Sequence, residues 1–111
     1  MKDGVRSSYH LYVVLLRTER LSRTRDEILD ALQLENIGVG VHFRGLHLHP
    51  DYRDRFGFKP GQFPAAEYAS DRVLSLPLYP GMDDKAVDDT IAAVRKVVQR
   101  SRSVSSLGAR R

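Results

Sequence analysis

Residues 8–16, SYHLYVVLL, hold the tightest constraint on how this chain can fold. The run is rich in Tyr, Val and Leu and free of Gly and Pro, the composition of a β-strand. Both alternating faces are apolar: Tyr9, Leu11, Val13 and Leu15 on one, Tyr12, Val14 and Leu16 on the other. A strand apolar on both faces is ordinarily covered on both. A chain of 111 residues builds one hydrophobic core and has little left for a second covering layer. The strand therefore points to a surface supplied from outside the domain.

The remaining elements follow from local signals. TRDEILDALQLENIG (24–38) reads as a helix, with Thr24 and Glu27 spaced as a capping box. Ile28, Leu29 and Leu32 mark its buried face, and Asn36 is suited to the left-handed residue that closes it. VGVHF (39–43) reads as a second short strand. A Pro- and Gly-rich stretch follows, in which DYRDRF and PAAEYAS form short helices, the latter with Pro64 in its first turn. RVLSLPLYP (72–80) reads as a third strand ended by its prolines. DDKAVDDTIAAVRKVVQR (83–100) is a helix capped by Asp83, with Val87, Ile91, Val94 and Val98 at helical spacing as its inward face. The expected architecture is a two-layer α+β domain of about three strands packed against helices, with strand directions left open. Residues 1–7 read as a flexible lead-in, 8–100 as the domain and 101–111 as a disordered basic tail.

Composition narrows the function classes. There is no cysteine, which excludes disulfides and thiolate metal sites and fits a reducing, cytoplasmic setting. The longest apolar run, Leu11 to Leu16, is far below the roughly 20 residues that span a bilayer. Net charge is +4, concentrated at Arg17, Arg20, Arg23 and Arg25 and again at Arg95, Lys96, Arg100, Arg102, Arg110 and Arg111. That pattern admits a small basic module binding nucleic acid or another polyanion, but no recognition helix, RNP or zinc-finger pattern accompanies it. Nucleic acid is therefore the alternative reading rather than the leading one.

The chemistry concentrates in GVHFRGLHLHP (40–50), where His42, Arg44, His47 and His49 fall within eight residues. A zinc site needs three or four convergent ligands, and no H-E-x-x-H or cysteine pair is present. No G-x-S-x-G elbow supports a serine hydrolase, and no phosphate-cradling glycine motif occurs. Two readings stay open on the residues alone. In one, Arg44 and the histidines donate to phosphate or sugar oxygens while Phe43 or Tyr52 covers a base or sugar face. In the other, a polar loop uses its histidines to cap backbone carbonyls.

Taken together, RDEILDALQLENIGVGVHFRGLHLHPDYRDRFGF and FPAAEYASDRVLSLPLYPGMDDKAVDDTIAAVRKV resemble the C-terminal segment of the DegT/DnrJ/StrS sugar aminotransferases. The branch acting on UDP-linked 4-keto-arabinose is the most similar, through the H-F-R-x-x-H spacing and the Y-R-x-R-F run. The resemblance covers roughly residues 8–98. It implies a fold like the small C-terminal domain of type I pyridoxal-phosphate aminotransferases. It implies a nucleotide-linked keto sugar as substrate, glutamate as the usual amino donor, and a dimer interface or N-terminal domain as packing partner. His42, Phe43, Arg44 and His47 become substrate-contacting positions, with His10 a further candidate. Arg44 stands where many members have proline, and His49 where many have glutamine. In the family the catalytic lysine and the other cofactor-binding groups lie N-terminal to the matched segment. The resemblance thus implies no catalytic, cofactor-binding or metal residue among these 111, pyridoxal phosphate being held by the domain that precedes them.

Overall fold

A computed structural model describes residues 2–102, so Met1 and the expected tail from 103 onward lie outside the described residues. In chain order the elements are β1 (Tyr12–Leu15), α1 (Arg25–Leu34), α2 (Pro50–Phe56), α3 (Pro64–Ser70), β2 (Val73–Leu76) and α4 (Asp84–Arg100). Single 3-10 turns at Thr18–Arg20 and Leu46–Leu48 complete the set. The fold is α+β: α1 and α4 pack together and α1 also meets β2.

β1 and β2 pair antiparallel, Tyr12 opposite Leu76 and Leu15 opposite Val73. Both strands are shorter than the apolar runs that contain them. Pro77 has no N–H to donate, so β2 ends there, and β1 loses its partner beyond Tyr12. The expected strand at 39–43 contracts to a single bridge, in which Gly40 and Ser75 exchange both backbone hydrogen bonds at 2.8 and 3.2 Å. Two glycines, Gly38 and Gly40, weaken the extended run, and past Gly40 the chain turns off into the histidine loop.

Local signals in α1 appear in the structure as hydrogen bonds. The Thr24 hydroxyl accepts from the Glu27 N–H, and the Glu27 carboxylate accepts from the Thr24 N–H at 2.8 Å. After the helix, Asn36 sits at φ 63°, the left-handed region. Replacing Asn36 by glycine should leave stability unchanged or slightly raised, while Asn36→Val should cost about 1–2 kcal/mol, read from thermal midpoints.

The core comprises Ile28 and Leu32 of α1, Ile37, Leu74 of β2, and Ala93 and Val97 of α4, with Val14, Leu16 and Leu29 packed against it. One expectation for α4 is corrected. Its buried residues are Thr90, Ala93 and Val97, whereas Val87 and Ile91 are exposed and Val94 is half-buried. Each buried position precedes one of the expected stripe by one residue, which turns the inward arc by about 100°. Ala93 and Val97 meet Ile28 and Leu32 of α1 in the core. Hydrophobic spacing favoured the valines and isoleucine one step on. Thr90 is made compatible with burial by donating to the Ala86 carbonyl at 2.8 Å. The exposed apolar residues of α4 line, with Tyr12, Leu76, Leu78 and Met82, a groove of about 460 Å³.

Past α4, Ser101 is fully buried, and its carbonyl accepts from the Ser22 N–H at 2.6 Å. This clips the end of α4 to the segment that leads into α1. Val14 of β1 and Leu16 just after it face the core, while Val13 and Leu15 on the opposite face are half exposed. That apolar face of the strand is therefore only partly covered among the described residues.

Candidate functional site

The histidine loop lies over that second face of the sheet, above Ser75. Ser75 is 4% exposed, and its Oγ lies 2.8 Å from His42 Nδ1. His42, Phe43 and Arg44 then line a concavity of about 250 Å³ against Leu11 and Val13 of the β1 run and Ala66, Ala69 and Ser70 of α3. Phe43 is 76% exposed and Arg44 is exposed, so neither is committed to the interior. His42, Leu11 and Ser75 also border a larger groove of about 990 Å³, which His10, Tyr79 and the α4 residues Asp89 and Lys96 help to line. Four of the five expected substrate positions, His10, His42, Phe43 and Arg44, thus fall along two adjoining concavities.

His47 is placed elsewhere. It is buried in the 3-10 turn, its ring 5.0 Å from Phe63, and its Nε2 is 3.3 Å from Glu67 Oε1. That contact is poorly aligned for a hydrogen bond, so its strength depends on imidazolium charge. Gly45 permits the packing: a Cβ there would meet His47 Cε1 at 3.2 Å. Tyr52 stacks on Phe56 in α2, and Phe56, Phe58 and Phe63 continue a chain of ring contacts that leads to His47. Tyr52 lines neither concavity beside His42.

Three residues that sequence reasoning passed over hold this arrangement. Ser70, at the end of α3, accepts the Gly45 N–H through its Oγ at 3.1 Å. Arg25 is one of the clustered arginines, yet its guanidinium turns inward and donates to the Ser70 and Val73 carbonyls at 2.8 and 3.0 Å. Glu67 accepts the Gly61 N–H at 2.7 Å. The Gly61 N–H, and after it the His47 side chain, hold the Glu67 carboxyl below its ordinary value. A carboxylate with a lowered pKa adds stability that is complete above its unfolded value, about 4.3, and is lost as pH falls through the folded one. Glu67→Gln should therefore lower the thermal midpoint at neutral pH and remove this group's share of the acid decline. Midpoints followed from pH 7 to 3 check it.

Among the described residues no group of three or more His, Asp or Glu side chains is arranged to hold a metal ion. No helix among them is long and apolar enough to cross a membrane.

Residues 1–95 match the DegT/DnrJ/EryC1/StrS aminotransferase family. The chain belongs to that family. It is 45% identical over 102 residues to the uncharacterised protein MJ1066 of Methanocaldococcus jannaschii, covering 92% of this chain and 26% of that protein. It is 47% identical over 98 residues to the spore coat polysaccharide biosynthesis protein SpsC of Bacillus subtilis, covering 87% and 25%. Among solved structures, a DegT/DnrJ/EryC1/StrS aminotransferase from Brucella abortus matches with TM-score 0.68 and 28% identity, covering 88% of this chain and 25% of that one. Helicobacter pylori PseC, an aminotransferase involved in pseudoaminic acid biosynthesis, shares the fold at TM-score 0.75 and 24% identity, covering 85% and 24%. The chain spans about a quarter of the length of the curated relatives it matches.

The chain has four lysines, Lys2, Lys59, Lys85 and Lys96. Lys85 is paired with Asp89 at 2.7 Å, and that hydrogen bond raises its pKa. Lys96 is paired with Glu35 at 2.5 Å. Lys2 and Lys59 are exposed.

Proposed function

We propose that this chain acts as the C-terminal small domain of a pyridoxal-phosphate-dependent nucleotide-sugar aminotransferase, binding substrate and packing against a further domain or dimer partner in the cytoplasm. Bond-making chemistry belongs, in this reading, to polypeptide beyond these residues. The observation that carries it is the alignment of exposed His42, Phe43 and Arg44 along one concavity, with His10 on the groove next to it. A guanidinium and imidazoles offer donors to phosphate and sugar oxygens, and an exposed ring offers a flat apolar face. Family membership and the partly covered apolar face of β1 support the same reading.

Titration with UDP-glucose, read by chemical shifts, tests it. Shifts are expected at His42, Phe43 and Arg44, and Arg44→Ala should weaken binding about tenfold or more, the loss of one charge-assisted contact. No response at those residues at millimolar ligand would sink the substrate-binding role. Treatment with pyridoxal phosphate and borohydride tests the division of labour. A stoichiometric adduct on a single lysine would overturn the assignment of the chemistry to another domain.

A further inference from the structure

We infer that Ser75 is a positioning residue for His42, and that its hydroxyl fixes which nitrogen of that imidazole carries the proton. The inference rests on reading the groove as a nucleotide-sugar site, and it names the polarity of the ligand atoms the site takes.

Ser75 meets the loop through three hydrogen bonds. Its N–H and C=O both pair with Gly40, and its Oγ lies 2.8 Å from His42 Nδ1, two residues further along. Sheet register thus holds the hydroxyl beneath the ring. The direction of the side-chain bond follows from counting donors. His42 Nδ1 is the hydrogen-bond partner of the Ser75 hydroxyl among the described residues. Were Nδ1 protonated and donating to Oγ, the serine hydrogen would be left without an acceptor in a residue that is 4% exposed. With the serine donating, Nδ1 is the acceptor and the neutral ring carries its proton on Nε2. His42 is exposed and borders both concavities, so it offers them an N–H donor. Arg44, beside it, has donors only. This part of the site is accordingly built for oxygen acceptors, such as phosphate, carbonyl or hydroxyl oxygens. It disfavours ligand groups that present N–H at the same place.

Long-range proton–nitrogen NMR of the neutral imidazoles at about pH 8.5 reads the tautomer directly, with His42→Gln assigning the signal. The expected wild-type pattern is a single Nε2–H form. Ser75→Ala should give a mixture of tautomers, and Ser75→Thr, which keeps the hydroxyl on Cβ, should restore the single form. Ser75→Ala should also bind UDP-glucose roughly threefold to tenfold more weakly, with threonine recovering the loss. An Nδ1–H form in the wild type, or a tautomer unchanged in Ser75→Ala, overturns the inference. Faster amide exchange at Gly40 with an unchanged tautomer also overturns it, by assigning Ser75 to the backbone register alone. A fixed tautomer that responds to serine but not to UDP-glucose overturns instead the reading of the groove on which the ligand polarity depends.

Discussion

Leu74→Ala is expected to remove a large share of the domain's stability, about 2–5 kcal/mol out of a total of about 5–15. Leu74 is 1% exposed and sits in β2 where α1 and α4 converge. Its neighbours Ile28 and Leu32 are themselves fully buried, so they have no slack with which to fill the cavity. The urea midpoint should fall while the slope of the transition stays constant, because the surface exposed on unfolding hardly changes. Val94→Ala, at a half-buried position on the rim of the same core, should cost clearly less. If the two substitutions cost the same, the core is not organised around β2.

Arg25→Met should cost about 2–3 kcal/mol, an unusual penalty for one arginine in a basic cluster. Its Nη1 donates to two backbone carbonyls, and its side chain is only 15% exposed. Methionine retains the length and apolar body of the stem, so the loss reports on the hydrogen bonds. Lysine should rescue only part of it, since its single nitrogen sits on a shorter stem and cannot also keep the Nε contact with Asp26. The effect should also reach the histidine loop. One of those carbonyls belongs to Ser70, whose Oγ holds the Gly45 N–H. Amide exchange at Gly45 should therefore accelerate in Arg25→Met more than at Gly40, which is held independently by Ser75. Equal acceleration at both would mean general loosening rather than a specific link.

These links show why some of the molecule was readable in its sequence and some was not. The capping box of α1, the left-handed Asn36 and the Asp83 cap of α4 are settled within a few residues, and local spacing reports them. The facing of α4 is set by its packing on the rest of the core, which hydrophobic spacing does not encode; Ala93 and Thr90 were buried in place of the larger Ile91. The strand expected at 39–43 had a partner in β2, but the chain turns off into the histidine loop past Gly40 and leaves one bridge. In the histidine loop, sequence identified the right segment, but not its division. His42, Phe43 and Arg44 face a concavity, while His47 turns inward toward Glu67, twenty residues away. Arg25 read only as one of a basic cluster, and Ser70 and Ser75 only as serines without the setting of a nucleophile, because their partners lie 25 to 48 residues distant in the chain. The resemblance to sugar aminotransferases included the blocks containing the two serines and so held the only sequence-level hint of their importance.

The outer edge of β1 has no strand beside it among the described residues, and Val13 and Leu15 stand half open next to it. Such an edge is a template for any extended segment, including β1 of another copy. What opposes self-association is like-charge repulsion between molecules of net charge +4, which acts over a Debye length of only about 10 Å at 0.1 M salt. Added salt, usually a neutral choice of buffer, should therefore push this chain toward oligomers, and a lysine at position 13 or 15 should keep it dispersed.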